Sequence, residues 1–165
     1  MTSAWGGSWG WPSVVPPSAG LPVGSATIKA ALETYLRALG ALQGLVKDRI
    51  YFGERPQGTP LPALTFFRSG GSTVQISEGQ GNMGIPRFSL ECWGQSGEEA
   101  EAVALAVRGP AGGPGLEDWA AGFMGSIWVG AVRVDEMGDD KVPPAFGNGA
   151  SDHRVTLDVT IWHDE

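Results

Sequence analysis

From residue 28 onward, apolar positions recur first at a helical period and later at a period of two. Ile28, Leu32, Tyr35, Leu36 and Leu39 form one helical stripe, and Leu42, Leu45 and Val46 extend it past Gly40 and Gly44. This spacing predicts an amphipathic helix. Ser25 or Thr27 can cap it by accepting a free backbone N–H, and the two glycines loosen or end it. Residues 49–52 then read as a short strand. The stretch 53–62, with three prolines and two glycines, reads as a loop. Residues 63–68 and 73–77 read as strands. Residues 87–93 alternate, with Phe88, Leu90 and Cys92 on one side and Arg87, Ser89 and Glu91 on the other. The polar, Gly-rich linker 78–86 reads as the tip of a long hairpin.

Ser96 followed by Glu99 is a capping-box signature. Ala100, Val103, Ala104 and Val107 give the helix behind it a narrow face of small residues, suited to lying close on a sheet. Gly and Pro fill six of the seven positions 109–115 and stop it. Residues 125–136 and 152–163 read as strands, the last with Val155, Leu157, Val159 and Ile161 on one face and Arg154, Thr156, Asp158 and Thr160 on the other. Strands with one apolar and one wet face, not regularly alternated with helices, predict an α+β fold. The expected form is a mostly antiparallel sheet covered on one side by two helices, with a long hairpin.

Residues 1–24 differ in composition from the rest. Gly, Pro, Ser and Trp supply 16 of these 24 residues, and no charged side chain precedes Lys29. Such a segment cannot form an amphipathic helix, yet Trp5, Trp9 and Trp11 are costly to leave in water. The domain reading is therefore an extended arm, 1–24, followed by a single domain, 25–165. The arm is expected to dock on a neighbouring subunit or partner, together with Gln80, Asn82 and Met83 at the hairpin tip.

Charge narrows the function classes. The 165 residues carry a net charge of −7, with their 11 bases scattered, which argues against a nucleic-acid binder. Residues 135–165 hold −6 of that charge. Asp135, Glu136, Asp139 and Asp140 are the candidate acidic cluster, and 137–151 reads as the loop that carries part of it. Oxygen ligands of this kind could gather a hard cation, but only fragments of a calcium-loop pattern are present, so a solvated loop is the expectation. His153 and His163 stand ten apart on one strand and form no metal-ligand spacing.

Cys92 is the single cysteine, which excludes an intrachain disulfide framework, and its place on an apolar face marks it as a small hydrophobe. Gly79, Gly81 and Gly84 spell a G-x-G-x-x-G pattern, but Ile85-Pro86 and a strand follow instead of the helix that would hold a pyrophosphate. No serine lies in a nucleophile elbow. The expectation is no enzyme, no cofactor and no metal. No apolar run approaches a membrane span, and the N-terminus lacks the charge and apolar stretch of a signal peptide.

The order of elements then carries a resemblance. An opening helix, Asp48-Arg49-Ile50-Tyr51, a loop with Pro56 and Pro62, the strand 63–67 and a hairpin come first. They are followed by Phe88-Ser89-Leu90-Glu91-Cys92-Trp93-Gly94-Gln95-Ser96, the Ala-rich helix 98–107 and a closing strand, 154–162. Over residues 26–163 this resembles the tail-terminator (tail-completion, head-to-tail joining) proteins of long-tailed bacteriophages and phage-like particles. The resemblance implies a structural virion subunit, assembled in the host cytoplasm into a six-membered ring of identical copies. Such a ring caps the tail tube and meets a neck or head-completion protein, while DNA passes through without specific binding and no membrane is involved. The arm 1–24 and the acidic stretch with Pro143-Pro144 depart from the plain family pattern. The alternatives are a neck adaptor or tail-tube subunit, or a metal-binding hydrolase using the acidic stretch.

Overall fold

The computed structural model describes residues 27–75, 82–111, 113–143 and 150–164. The arm 1–24 and its tryptophans lie outside these residues. Helix α1 (Ile28–Ala38) starts at Thr27, whose hydroxyl accepts the Ala30 N–H at 3.3 Å. The apolar stripe is continuous, but the helix is not. Leu39 adopts an extended conformation (φ −69°, ψ 106°), and α2 (Gly40–Val46) begins after it. With α3 (Gly97–Arg108), three helices cover the sheet where the sequence suggested two. The break at Leu39 lets Leu32, Leu36, Leu42 and Val46 all reach full burial against a curved surface, which a straight helix would not allow.

Six strands form one sheet in the order β1-β2-β3-β6-β5-β4. Strand β1 (Ile50–Phe52) runs parallel to β2 (Ala63–Gln75), and every other pairing is antiparallel. Strand β2 is one element where the sequence suggested two; a bulge at Ser69 between Arg68 and Gly70 carries the chain across the gap. Strand β3 (Asn82–Gly94) starts earlier than expected, so residues 82–86 are strand and not hairpin tip. Gly84 and Pro86 are buried there, and Gly71 opposite Pro86 keeps the pair close: a Cβ at Gly71 would lie 2.6 Å from Pro86 Cα.

The 125–136 segment also resolves differently. Gly122–Met124 (β4) and Ile127–Val142 (β5) make a hairpin closed by Gly125-Ser126. Gly125 takes φ +64°, the left-handed value that a two-residue hairpin turn demands. Strand β5 continues to Val142 against β6 (Asp152–Asp164), so Asp139 and Asp140 are strand residues and not part of a loop. A bulge at Met137, between Glu136 and Gly138, makes this extension possible.

The core lies between the helices and one face of the sheet. Leu64, Phe66, Phe88, Leu90, Cys92, Leu157, Val159 and Ile161 face α1, α2 and α3 from β2, β3 and β6. Ser96 accepts the Glu99 N–H at 3.2 Å, and Glu99 Oε2 accepts the Gln95 N–H at 2.6 Å, so the predicted cap of α3 forms with a one-residue offset. The loop after α3 is tied down by Tyr35, whose hydroxyl donates to the Gly115 carbonyl at 3.0 Å, and by Trp119, whose indole N–H donates to the Val129 carbonyl at 3.2 Å.

Candidate assembly surfaces

Strand pairing fixes which side chains share the face opposite the helices. Across β5, β6, β3 and β2 that face is ion-paired in its middle. Arg133 meets Asp135 at 2.9 Å, Arg87 meets Asp158 at 3.5 Å, and Arg154 meets Glu91 at 2.8 Å and Asp140 at 3.1 Å. Thr65 donates to Glu91 at 3.0 Å and accepts the Trp93 indole N–H at 3.0 Å. Arg55 meets Asp152 at 2.6 Å and lies 4.6 Å above the Trp93 ring. Asp135 and Asp158 stand directly opposite one another, a repulsive pairing that their separate arginines offset.

One end of the same face is apolar. Phe123 and Trp128 are register partners whose rings meet edge-on at 5.1 Å. Phe123 is 68% and Trp128 41% exposed. Trp162 is the partner of Ala131 on the next strand, and Met83 pairs with Val74 two strands further on. This end lies beside the β2–β3 hairpin and includes Met83, whereas Asn82, one residue earlier on β3, faces the other side of the sheet. Gln80 lies outside the described residues. The sequence reading missed Phe123, Trp128 and Trp162 as surface residues. The signal for the first two was Gly125-Ser126, a hairpin turn at the start of the expected strand 125–136.

The sheet also leaves two edges open. Beyond Phe66, β1 has ended, and the outer side of β2 has no strand neighbour from Phe67 to Ser72 among the described residues. Beyond Val129, β4 has ended, and the outer side of β5 has none from Gly130 to Val142. These edges lie on opposite sides of the sheet.

The four candidate acids do not form one cluster. Glu136 and Asp139 pair with the core residues Leu157 and Val155 and so face the helices, whereas Asp135 and Asp140 occupy the open face. Glu136 is held by Arg108 at 2.9 Å. Arg108 also grips Glu117 at 2.8 Å, and this hydrogen bond holds the Glu117 carboxyl below the usual range and raises the guanidinium. Asp139 alone of the four makes no ion pair or hydrogen bond among the described residues. No group of three or more metal-ligating side chains is assembled among those residues. Gly84 of the glycine pattern lies in β3, paired with Thr73 and His163, with no helix behind it. His163 is buried on the helix-facing side of β6, and its Nδ1 lies 2.9 Å from the Asp164 carbonyl. Burial pushes the Cys92 thiol far up, with Glu91 and Glu136 adding to it.

Comparison with known proteins agrees with this architecture. No curated protein matches the chain. Among solved structures, a chain of the "Virion of native gene transfer agent (GTA) particle" superposes with a TM-score of 0.59 at 15% identity, covering 88% of this chain and 100% of that one. At that identity the likeness shows the fold. The family described as "Tail completion protein gp17" matches residues 30–109, from α1 through α3 and the residue after it. Through that segment, just under half of its length, the chain is similar to the tail completion family.

Proposed function

We propose that this chain is a structural virion protein whose copies join edge to edge into a closed ring, capping the tail tube and meeting the neck or capsid connector. The carrying observation is the pair of open edges on opposite sides of one sheet, Phe67–Ser72 of β2 and Gly130–Val142 of β5. Pairing one edge with the other of the next copy is a head-to-tail contact, and such contacts generate rings when the rotation closes. Both edges are bulged, at Ser69 on β2 and at Gly130 and Met137 on β5. Bulges discourage indiscriminate pairing, so each edge favours a partner of matching shape. The match of residues 30–109 to the tail completion family supports a tail role, and the match to a virion chain supports the same architecture in a phage-like particle.

In this reading the chain works through shape and self-association, not catalysis. The tail-tube protein and a neck or head-completion protein are the partners, and DNA passes through the ring unbound. Asn82 and Met83 meet a neighbour at the hairpin end. Of the four candidate acids, Asp139 is the one without an ion pair among the described residues and is the strongest candidate to face passing DNA, where it repels phosphates.

Electron microscopy and light scattering of the purified protein test the ring. Closed single rings, of six copies as the family resemblance implies, are expected. Stacked tubes would assign the chain to the tail tube instead, and a monomer both alone and on added tail tubes would remove the ring.

A further inference from the structure

The apolar end of the open face is unlike the ion-paired middle. Phe123, Trp128, Trp162, Ile85, Met83 and Val74 follow one another across β4, β5, β6, β3 and β2. Phe123, Trp128 and Val74 are exposed, and the other three are half-buried. A contiguous aromatic surface of this kind marks a docking site.

Residues 1–26 precede α1, whose first turns lie beside the β4–β5 turn. A Cβ built on Gly125, in the β4–β5 turn, would lie 3.7 Å from Ala31 Cβ in the first turns of α1. Thr27, the first described residue, is therefore about one helical turn from the turn that joins Phe123 to Trp128. Those 26 residues reach about 85 Å when extended, while the five strands of the apolar end span only about 20 Å. Their chemistry also fits. They contain no charged side chain, three tryptophans and four prolines. Uncharged tryptophan and proline side chains gain by leaving water for an apolar surface of this kind.

We propose that residues 1–26 turn round the short edge strand β4 and seat on the apolar end of the open face of their own subunit. Tethering favours the same subunit: a segment joined to the chain that carries its site holds an effective concentration of about a millimolar, far above that of other copies in dilute solution. This seat belongs to the free subunit and does not depend on ring formation.

Hydrogen exchange of the full chain, read by mass spectrometry, tests it. Backbone amides of 1–26 should exchange at least ~10-fold more slowly than in an unstructured peptide, equally at about 1 and about 100 µM protein. In the Phe123→Ser/Trp128→Ser variant they should return to within about twofold of the unstructured rate, while the amides of β3 and β6 keep their protection and report an intact fold. Unprotected amides at both concentrations would overturn the proposal. So would protection that appears only at the higher concentration, which would place the segment on a second copy. Protection that survives in the variant would place it elsewhere on the subunit and equally overturn it.

Discussion

Arg154 on β6 reaches diagonally across to β3 and places its Nη1 2.8 Å from Glu91 Oε1. Both side chains are largely withdrawn from water, 28% and 18% exposed. Glu91 has Thr65 as its other partner, and Arg154 extends its second nitrogen to Asp140. Removing the arginine strips a half-buried carboxylate of its counter-charge, which costs more than the pair itself contributes. Arg154→Ala should lower the unfolding free energy by about 2 kcal/mol, read from urea denaturation. Asp140→Asn, acting on the exposed arm of the same network, should change it by less than about 0.5 kcal/mol.

The Cys92 thiol is fully buried and its pKa is raised, first by desolvation and then by Glu91 and Glu136. In the folded chain the proton is therefore retained at pH values where an unfolded chain has lost it. The stability contribution is complete below the ordinary thiol value and is lost as pH rises past it, by about 1.4 kcal/mol per pH unit. Urea midpoints should fall between pH 9 and 10 in the native chain more steeply than in Cys92→Ala. A thiol reagent at pH 8 should label the chain only on unfolding.

Gly94 closes β3 and opens the turn into α3. A Cβ there would lie 2.5 Å from the Ala100 nitrogen and 2.9 Å from the Ser96 carbonyl, both backbone atoms that cannot step aside. Gly94→Ala should cost about 2–3 kcal/mol, measured by thermal unfolding. Gly44→Ala, with nothing within 4 Å of the added methyl, should be neutral or stabilising by up to about 1 kcal/mol.

Edge pairing has its own test. Ser69 and Met137 occupy bulges on the open edges of β2 and β5, and both are exposed. A lysine on an edge strand blocks pairing with another chain. Ser69→Lys and Met137→Lys should each leave subunit stability within about 0.5 kcal/mol of the native chain and abolish rings in electron micrographs. Rings that persist in both variants would show that the subunits join elsewhere.

The fold was legible where period and punctuation agreed. Phe88, Leu90 and Cys92, and Val155 to Ile161, alternate so cleanly that their burial followed from spacing alone. Ser96 with Glu99 announced α3. The misreadings share one cause: a bulge or turn hidden inside an apolar or charged run. Ser69 joins two apparent strands into β2. Gly125-Ser126, read as the start of a strand, is the turn that joins β4 to β5. Met137 lets β5 absorb a stretch whose charge and glycine made it look like a loop. The candidate surfaces were less legible, because they depend on which strands become neighbours. Nothing local to Asp135, Glu136, Asp139 or Asp140 shows that they split between two faces, or that three of them find arginines on β5 itself, α3 and β6. The apolar end is assembled from five strands and has no sequence motif.

The position of this chain in an assembled particle tests the proposed role most directly. Cryo-electron microscopy of particles carrying it should show one closed ring at the head-proximal end of the tail tube, with β2 of each copy alongside β5 of the next. Density repeated along the length of the tube, or none at the junction of head and tail, would contradict it.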